Sequence, residues 1–166
     1  EETESSEETT DKEEANADEA DSDEEEAAES EADEAELEAA IEVENDLRSE
    51  IVTYALQFVG NRYKYGGTNP NTGVDCSGFT SYVMRHAAEV ELPHSSGGQS
   101  RMGRQVSSSE MRPGDIICYG SGKRINHVAL YIGNGQIVHA STERTGIKVS
   151  RWNYRTPVRI VNVLGD

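Results

Sequence analysis

The acidic residues of this 166-residue chain are so confined to one end that only the other end can fold around a core. Residues 1–46 hold 24 Asp or Glu and a single Lys, a balance of −23. Residues 47–166 hold 14 Lys or Arg and 8 Asp or Glu, a balance of +6, so the overall −17 describes neither part. The first part has no aromatic residue and only three large aliphatics, Leu37, Ile41 and Val43. Burying so little apolar surface does not offset the entropy of ordering the backbone, and the segment is expected to be a disordered acidic tail or linker. The Ala- and Glu-rich stretch 27–44 could instead end a helical stalk, but it lacks Lys or Arg at i+4, so its like charges oppose a helix. Residues 47–166 are enough for one compact domain.

Several classes of function drop out on composition. No stretch approaches the ~20 apolar residues of a membrane span. The cations of the second part are scattered rather than clustered, so steering of an anionic polymer is expected and nucleic-acid binding is not. Three histidines and a cysteine could hold zinc, but no Cys-x-x-Cys or His-x-x-x-His spacing is present, so neither a metal nor a cofactor is expected. The chain begins at Glu1 with no visible secretory signal, the pattern of a mature or excised fragment.

Periodicity places the elements. Leu47, Ile51, Tyr54, Ala55 and Phe58 recur at helical spacing, predicting a first helix from about Asp46 to Phe58. A loop rich in Gly and Asn follows from Asn61 to Val74. A second helix is predicted from Cys76, with Phe79, Tyr82, Val83, His86 and Val90 on one face, ending at Leu92-Pro93. Strands are predicted at Ile116–Tyr119, His127–Ile132, Gln136–Ala140, Ile147–Val149 and Val158–Val163. Helices first and an antiparallel sheet after make an α+β fold.

The chemistry centres on Asp75-Cys76-Ser77-Gly78-Phe79, which sets a cysteine where loop gives way to helix. A helix start and a neighbouring imidazole both favour the thiolate, and such thiols fall to roughly 3.5–7.5. His127 and His139 supply a base and a third group to orient it, which together are the apparatus of a cysteine peptidase. Cys118, inside a strand run, is expected to be a packing residue, and pairing it with Cys76 would consume the nucleophile. His86 is expected to be a half-buried filler, and His94 has no assignable role. The two histidines share a face only if the β-hairpin between them has the right register. A two-residue turn at Asn134-Gly135 would set His139 against Leu130 and put the imidazoles on opposite faces. A three-residue loop, Gly133 to Gly135, pairs His139 with Ala129 and puts them on one face, so that loop is predicted.

The second part resembles the NlpC-type cell-wall peptidases from about Ile51 to Val163. The segments carrying the likeness are Tyr63-Lys64-Tyr65-Gly66-Gly67, Asp75-Cys76-Ser77-Gly78-Phe79, Leu92-Pro93, Gln99, Pro113-Gly114-Asp115, His127 to Gly133 and His139-Ala140, in that order. The resemblance implies a papain-like fold, with N-terminal helices packed on a central antiparallel sheet. It implies Cys76 as nucleophile, His127 as base, His139 as orienting group and Tyr63 near the oxyanion. It also implies Asp75, Ser77 and Gln99 as substrate-binding residues, the first two at the substrate's free amine. The implied substrate is the stem peptide of peptidoglycan or its muropeptides, cut between γ-D-glutamate and a diamino acid through a thioester. An amidase or acyltransferase using the same Cys–His pair is the alternative. A secreted or cell-envelope monomer is expected. The family often has Arg where His94 stands and Gly where Ala129 stands.

Overall fold

The structure, a computed structural model, describes residues 31–166, with side chains from Asp33. For residues 1–30 the expected disordered tail lies outside the described residues. Helix α1 (Glu31–Leu56) begins well before the predicted start near Asp46 and takes in residues assigned by composition to the linker. Its two halves differ. From Asp33 to Val43 it is exposed, whereas Ile51 and Ala55 are fully buried and Leu47 packs on the same core. The difference from expectation has a physical cause. Nucleation is the costly step of helix formation, and the packed half supplies it, so Ala, Glu and Leu propagate the helix outward cheaply despite their charge.

A short hairpin follows, β1 (Thr68–Asn69) with β2 (Gly73–Val74). Helix α2 (Cys76–Ala88) starts at Asp75, whose Oδ1 accepts the Gly78 N–H at 2.8 Å, an N-cap worth ~1 kcal/mol. It ends at Glu89 in the left-handed region, short of Leu92-Pro93. A single-turn helix, α3 (Ser96–Ser100), precedes β3 (Arg104–Gln105). The remaining strands are β4 (Ile116–Ser121), β5 (Arg124–Gly133), β6 (Gln136–Thr142), β7 (Gly146–Arg151) and β8 (Pro157–Asn162). They form a six-stranded sheet in the order β3-β8-β4-β5-β6-β7, with every pairing antiparallel. Helices leading into an antiparallel sheet make the α+β architecture expected.

Alternation along the strands sorts the core into two layers. Ile116, Cys118, Val128, Leu130, Val138 and Ala140 join Phe79, Val83 and Met84 of α2 and Ile51 of α1. Ile117, Tyr119, Ala129, Tyr131 and Ile137 point the other way, under Val106, Met111 and Trp152. Each fully buried large apolar side chain contributes about 1.5–3 kcal/mol, so both layers hold the sheet in place.

The β5–β6 connection corrects the predicted loop while keeping its register. The pairs are Leu130 with Val138, Tyr131 with Ile137 and Gly133 with Gln136, so only Asn134 and Gly135 form the turn. Both have positive φ, +52° and +73°, as a type I′ turn requires. A bulge between Tyr131 and Gly133 absorbs Ile132 and restores the shift of one residue that the longer loop was to provide. Continuing the register sets His139 opposite Ala129, and the two imidazoles share a face.

The β5–β6 ladder also stops at Leu130 and Val138. Beyond it β5 stays with β4 and β6 stays with β7, so the two strands part. The first turn of α2 lies at this seam.

Candidate active site

Cys76 is the first residue of α2 and packs, half-buried, against the helix-side core. The backbone N–H of Val128 lies on the side of β5 that has lost its strand partner, and it hydrogen-bonds the Cys76 sulphur. The N–H groups of Ser77 and of Cys76 itself add to this favourable set. Burial nevertheless pushes the thiol up, and the Asp75 charge adds to the rise, so the depressed pKa expected from sequence is not what the resting site has.

His127, on β5, is one residue from Val128 and 9% exposed. Its Nε2 lies 2.8 Å from His139 Nδ1, and His139 Nε2 lies 2.9 Å from Ser150 Oγ on β7. With Nε2 engaged, Nδ1 is the ring nitrogen left for a proton from the thiol. A base at Nδ1 would carry its proton at Nε2, and in that tautomer His127 donates to His139, which in turn donates to the Ser150 hydroxyl. Burial, aided by the Arg155 charge, lowers His127 to about 4. Burial, with His127 and Lys148, lowers His139 to about 3. At neutral pH the pair at rest is a neutral thiol and a neutral imidazole. Attack on a carbonyl therefore has to be coupled to proton transfer, as with a serine nucleophile, because no thiolate waits in place.

The other wall of the site is built from backbone and fixed by Asp75. Its Oδ1 caps α2 and accepts from His94 Nε2 at 2.9 Å, while Oδ2 accepts the Gly66 N–H at 3.0 Å. His94, left without a role by sequence reasoning, thus holds Asp75. A Cβ on Gly78 would collide with the Gly67 carbonyl, so only glycine lets this loop lie on the first turn of α2. The loop brings Tyr63 beside the thiol. Burial pushes the Tyr63 phenol up first, and the nearby Cys76 and Asp75 push it further, so its hydroxyl keeps its proton.

Two of the expected substrate contacts stand differently. Gln99 is fully buried and its amide is committed: Nε2 donates to Ser77 O, Ser81 Oγ and Pro93 O, and Oε1 accepts from Thr80 Oγ1. It ties α2 to the Pro93 segment. Ser77 is 5% exposed. Cys118 is free and fully buried, with burial pushing its thiol up to about 12, as inert as a packing residue should be. His86 is exposed and stacks on Tyr82 at 4.0 Å, outside the site, rather than filling the core.

Sequence reasoning missed the loop between β7 and β8. Tyr154 sits with its ring centroid 5.3 Å from both His139 and Tyr119, and burial pushes its phenol up, with the nearby Cys76 adding to the rise. Arg155 lies over the Tyr119 ring at 5.6 Å. Tyr119 in turn packs on His127 at 5.9 Å and donates to the Trp152 carbonyl at 2.6 Å. These residues form a lid of side chains over the imidazole pair.

A cysteine at a helix start, set against the strand residue that follows His127 of a linked imidazole pair, fits a papain-like fold. The chain belongs to the NlpC/P60 family, whose model matches residues 60–160. It is 41% identical over 108 residues to the Escherichia coli K12 protein named murein DD-endopeptidase MepS/murein LD-carboxypeptidase, a match covering 65% of this chain and 56% of that one. It is 42% identical over 98 residues to the probable endopeptidase p60 of Listeria seeligeri, covering 59% of this chain and 18% of the other. The chain thus spans little more than half of one relative and less than a fifth of the other. Among solved structures, the NlpC/p60 domain of the peptidoglycan hydrolase SagA superposes with a TM-score of 0.64 at 32% identity, covering 69% of this chain and 97% of that domain.

Proposed function

We propose that the protein is a cell-wall cysteine endopeptidase that hydrolyses the γ-D-glutamyl–diamino acid amide of peptidoglycan stem peptides. The observation that carries the reading is the linked set of Cys76 against Val128 and His127–His139–Ser150 across the strand seam. Family membership and the likeness to MepS, p60 and SagA, named as murein or peptidoglycan hydrolases and endopeptidases, support the substrate class. Peptidoglycan lies outside the cytoplasm, so an envelope or secreted location follows from this reading. No helix among the described residues is long and apolar enough to cross a membrane.

The steps follow from the geometry. The Cys76 sulphur attacks the scissile carbonyl as its proton passes to His127 Nδ1. The oxyanion forms at the N-terminus of α2, where backbone N–H groups and the Tyr63 hydroxyl stabilise it, each such donor being worth roughly 10²–10³ in rate. The His127 imidazolium, steadied through His139, gives its proton to the departing amine, leaving a thioester. Water then attacks the thioester with His127 again as base, and the thiol leaves reprotonated. Asp75, on the wall opposite the histidines, is the group for the substrate's free amine.

A second reading is favoured by the 41% identity to MepS, a DD-endopeptidase by name, and would cut the peptide cross-link instead. Digestion of purified muropeptides by the wild type and Cys76→Ala, read by mass spectrometry, separates the two. Fragments split after γ-D-glutamate, absent with the variant, are expected. Cross-linked dimers converted only to intact monomers would replace the proposal with the DD reading. Transfer of the acyl group to an added amine, without hydrolysis, would replace it with the acyltransferase.

A further inference from the structure

The two ends of the cleft carry opposite charge. Around Tyr63 the nearby ionisable groups are Asp75 and Glu143, both acidic. Around the histidine pair they are Arg155, which acts on His127, and Lys148, which faces His139 across β6 and β7. Cys76 lies between them. Lys148 is a flexible point charge, but Arg155 is held. Its Nη2 donates to Asn126 Oδ1 at 3.0 Å, its guanidinium lies over the Tyr119 ring, and it hydrogen-bonds the Tyr154 side chain. Asn126 is the residue immediately before His127.

Two other held arginines of the domain meet carboxylates, while Arg159 is held by the Ser100 carbonyl and Gln105 Oε1. Arg48 pairs with Asp115 and Asp166, and Arg112 pairs with Asp166 and Glu44. Arg155 pairs with no carboxylate among the described residues, although it is half-buried beside an aromatic stack. A guanidinium has five N–H donors in a planar fork, and the contacts here use only some of them. One pinned in place beside a catalytic base, with donors and charge unspent, has the form of a receptor for an external anion.

We propose that Arg155, braced by Asn126 and Tyr119, binds a carboxylate of the stem peptide at the histidine end of the cleft and so fixes the direction in which the substrate lies. The proposal rests on the stem-peptide reading above. A peptide with a free amine at the Asp75 end and a carboxylate at the Arg155 end is held across Cys76 in one sense only. Two carboxylates have this chemistry, the α-carboxylate of the γ-linked D-glutamate and that of the diamino acid.

The test uses four synthetic stem peptides, with both carboxylates free, either one amidated, or both amidated. They are cleaved by the wild type, Arg155→Gln and Arg155→Lys, and kcat and KM are measured separately. The wild type should lose about 10–100-fold in kcat/KM on amidation of one carboxylate, mainly through KM, and the position identifies the source. Arg155→Gln should lose a similar factor on the free peptide and cease to discriminate. Arg155→Lys should recover part of both. Equal cleavage of all four peptides by the wild type would overturn the role of Arg155 and leave the stem-peptide reading standing. Cleavage of none would overturn both. An Arg155→Gln variant that still discriminates, and differs only in the pH at which kcat falls, would show that Arg155 acts on His127 alone and overturn the proposal.

Discussion

The two walls of the cleft are made in opposite ways. The wall that carries Cys76 is local and backbone-built: Asp75, capping α2, also gathers His94 and Gly66. The wall that carries the histidines is assembled from side chains far apart in the chain, His127, His139, Ser150, Tyr154 and Arg155, stacked and linked over the sheet. The first wall sets position by geometry that glycine and a single carboxylate enforce. The second sets protonation, because burial there keeps both imidazoles neutral. Placing the nucleophile and tuning its base are therefore separable tasks in this fold.

If that separation is real, changes to the histidines should strike turnover and leave the fold, and changes to the residues that buttress the Cys76 wall should strike stability. The largest effect is expected from His127→Ala, a fall of about 10²–10⁴ in kcat with an unchanged circular dichroism spectrum. A loss under tenfold would take the base role from His127. Next comes Gln99→Leu, which removes the amide that bonds Thr80, Ser77, Ser81 and Pro93 and leaves them only their weaker mutual contacts. Unpaired buried groups cost about 1–3 kcal/mol each, so a drop of at least about 2 kcal/mol in unfolding free energy is expected from denaturant titration. A change below about 1 kcal/mol would mean Gln99 is not the tie described.

The pH response sharpens the contrast further. With His127 as the proposed base, activity would need its neutral form, and burial lowers it to about 4, so the acid limb of kcat/KM should fall well below the pH 6.5 of a free imidazole. A half-maximum between pH 6 and 7 would contradict a buried neutral base. Stability follows the same group. Between about pH 6.5 and 4 the unfolded chain binds the proton and the folded one does not, so stability falls as pH drops through that window. The smallest effect belongs to Ser150→Ala, which removes only the acceptor beyond His139 and should cost several-fold in kcat. Loss of all activity would instead make the hydroxyl part of the proton path.

The difference between the walls also explains what could be read without coordinates. Asp75, Cys76, Gly67 and Gly78 lie within twelve residues, and their cap and close approach have local signatures. The five long strands follow from alternation. The shared face of the two histidines was legible as a register, but the turn was not: a longer loop and a tight turn plus a bulge give the same offset, and glycines at 133 and 135 permit either. Tyr154 and Arg155 left no trace, because nothing in a loop between β7 and β8 tells which wall it will cover, and Ser150 on β7 has no local signature of the imidazole it meets. The resemblance implies Gln99 as a substrate contact but carries no sign that its amide is satisfied inside, because burial of a polar side chain has no local signature. The outward run of α1 was missed because charge was weighed against intrinsic propensity but not against a nucleus already packed.

The parting of β5 from β6 leaves the Val128 amide with sulphur as its partner in place of a carbonyl. That makes one peptide proton a built-in gauge of the nucleophile. Thiol, thiolate and thioester are acceptors of different strength, so the Val128 amide resonance and its solvent exchange rate should shift at each stage of turnover. The enzyme thus carries its own label for following acylation and release, without a chromogenic substrate or a modified side chain.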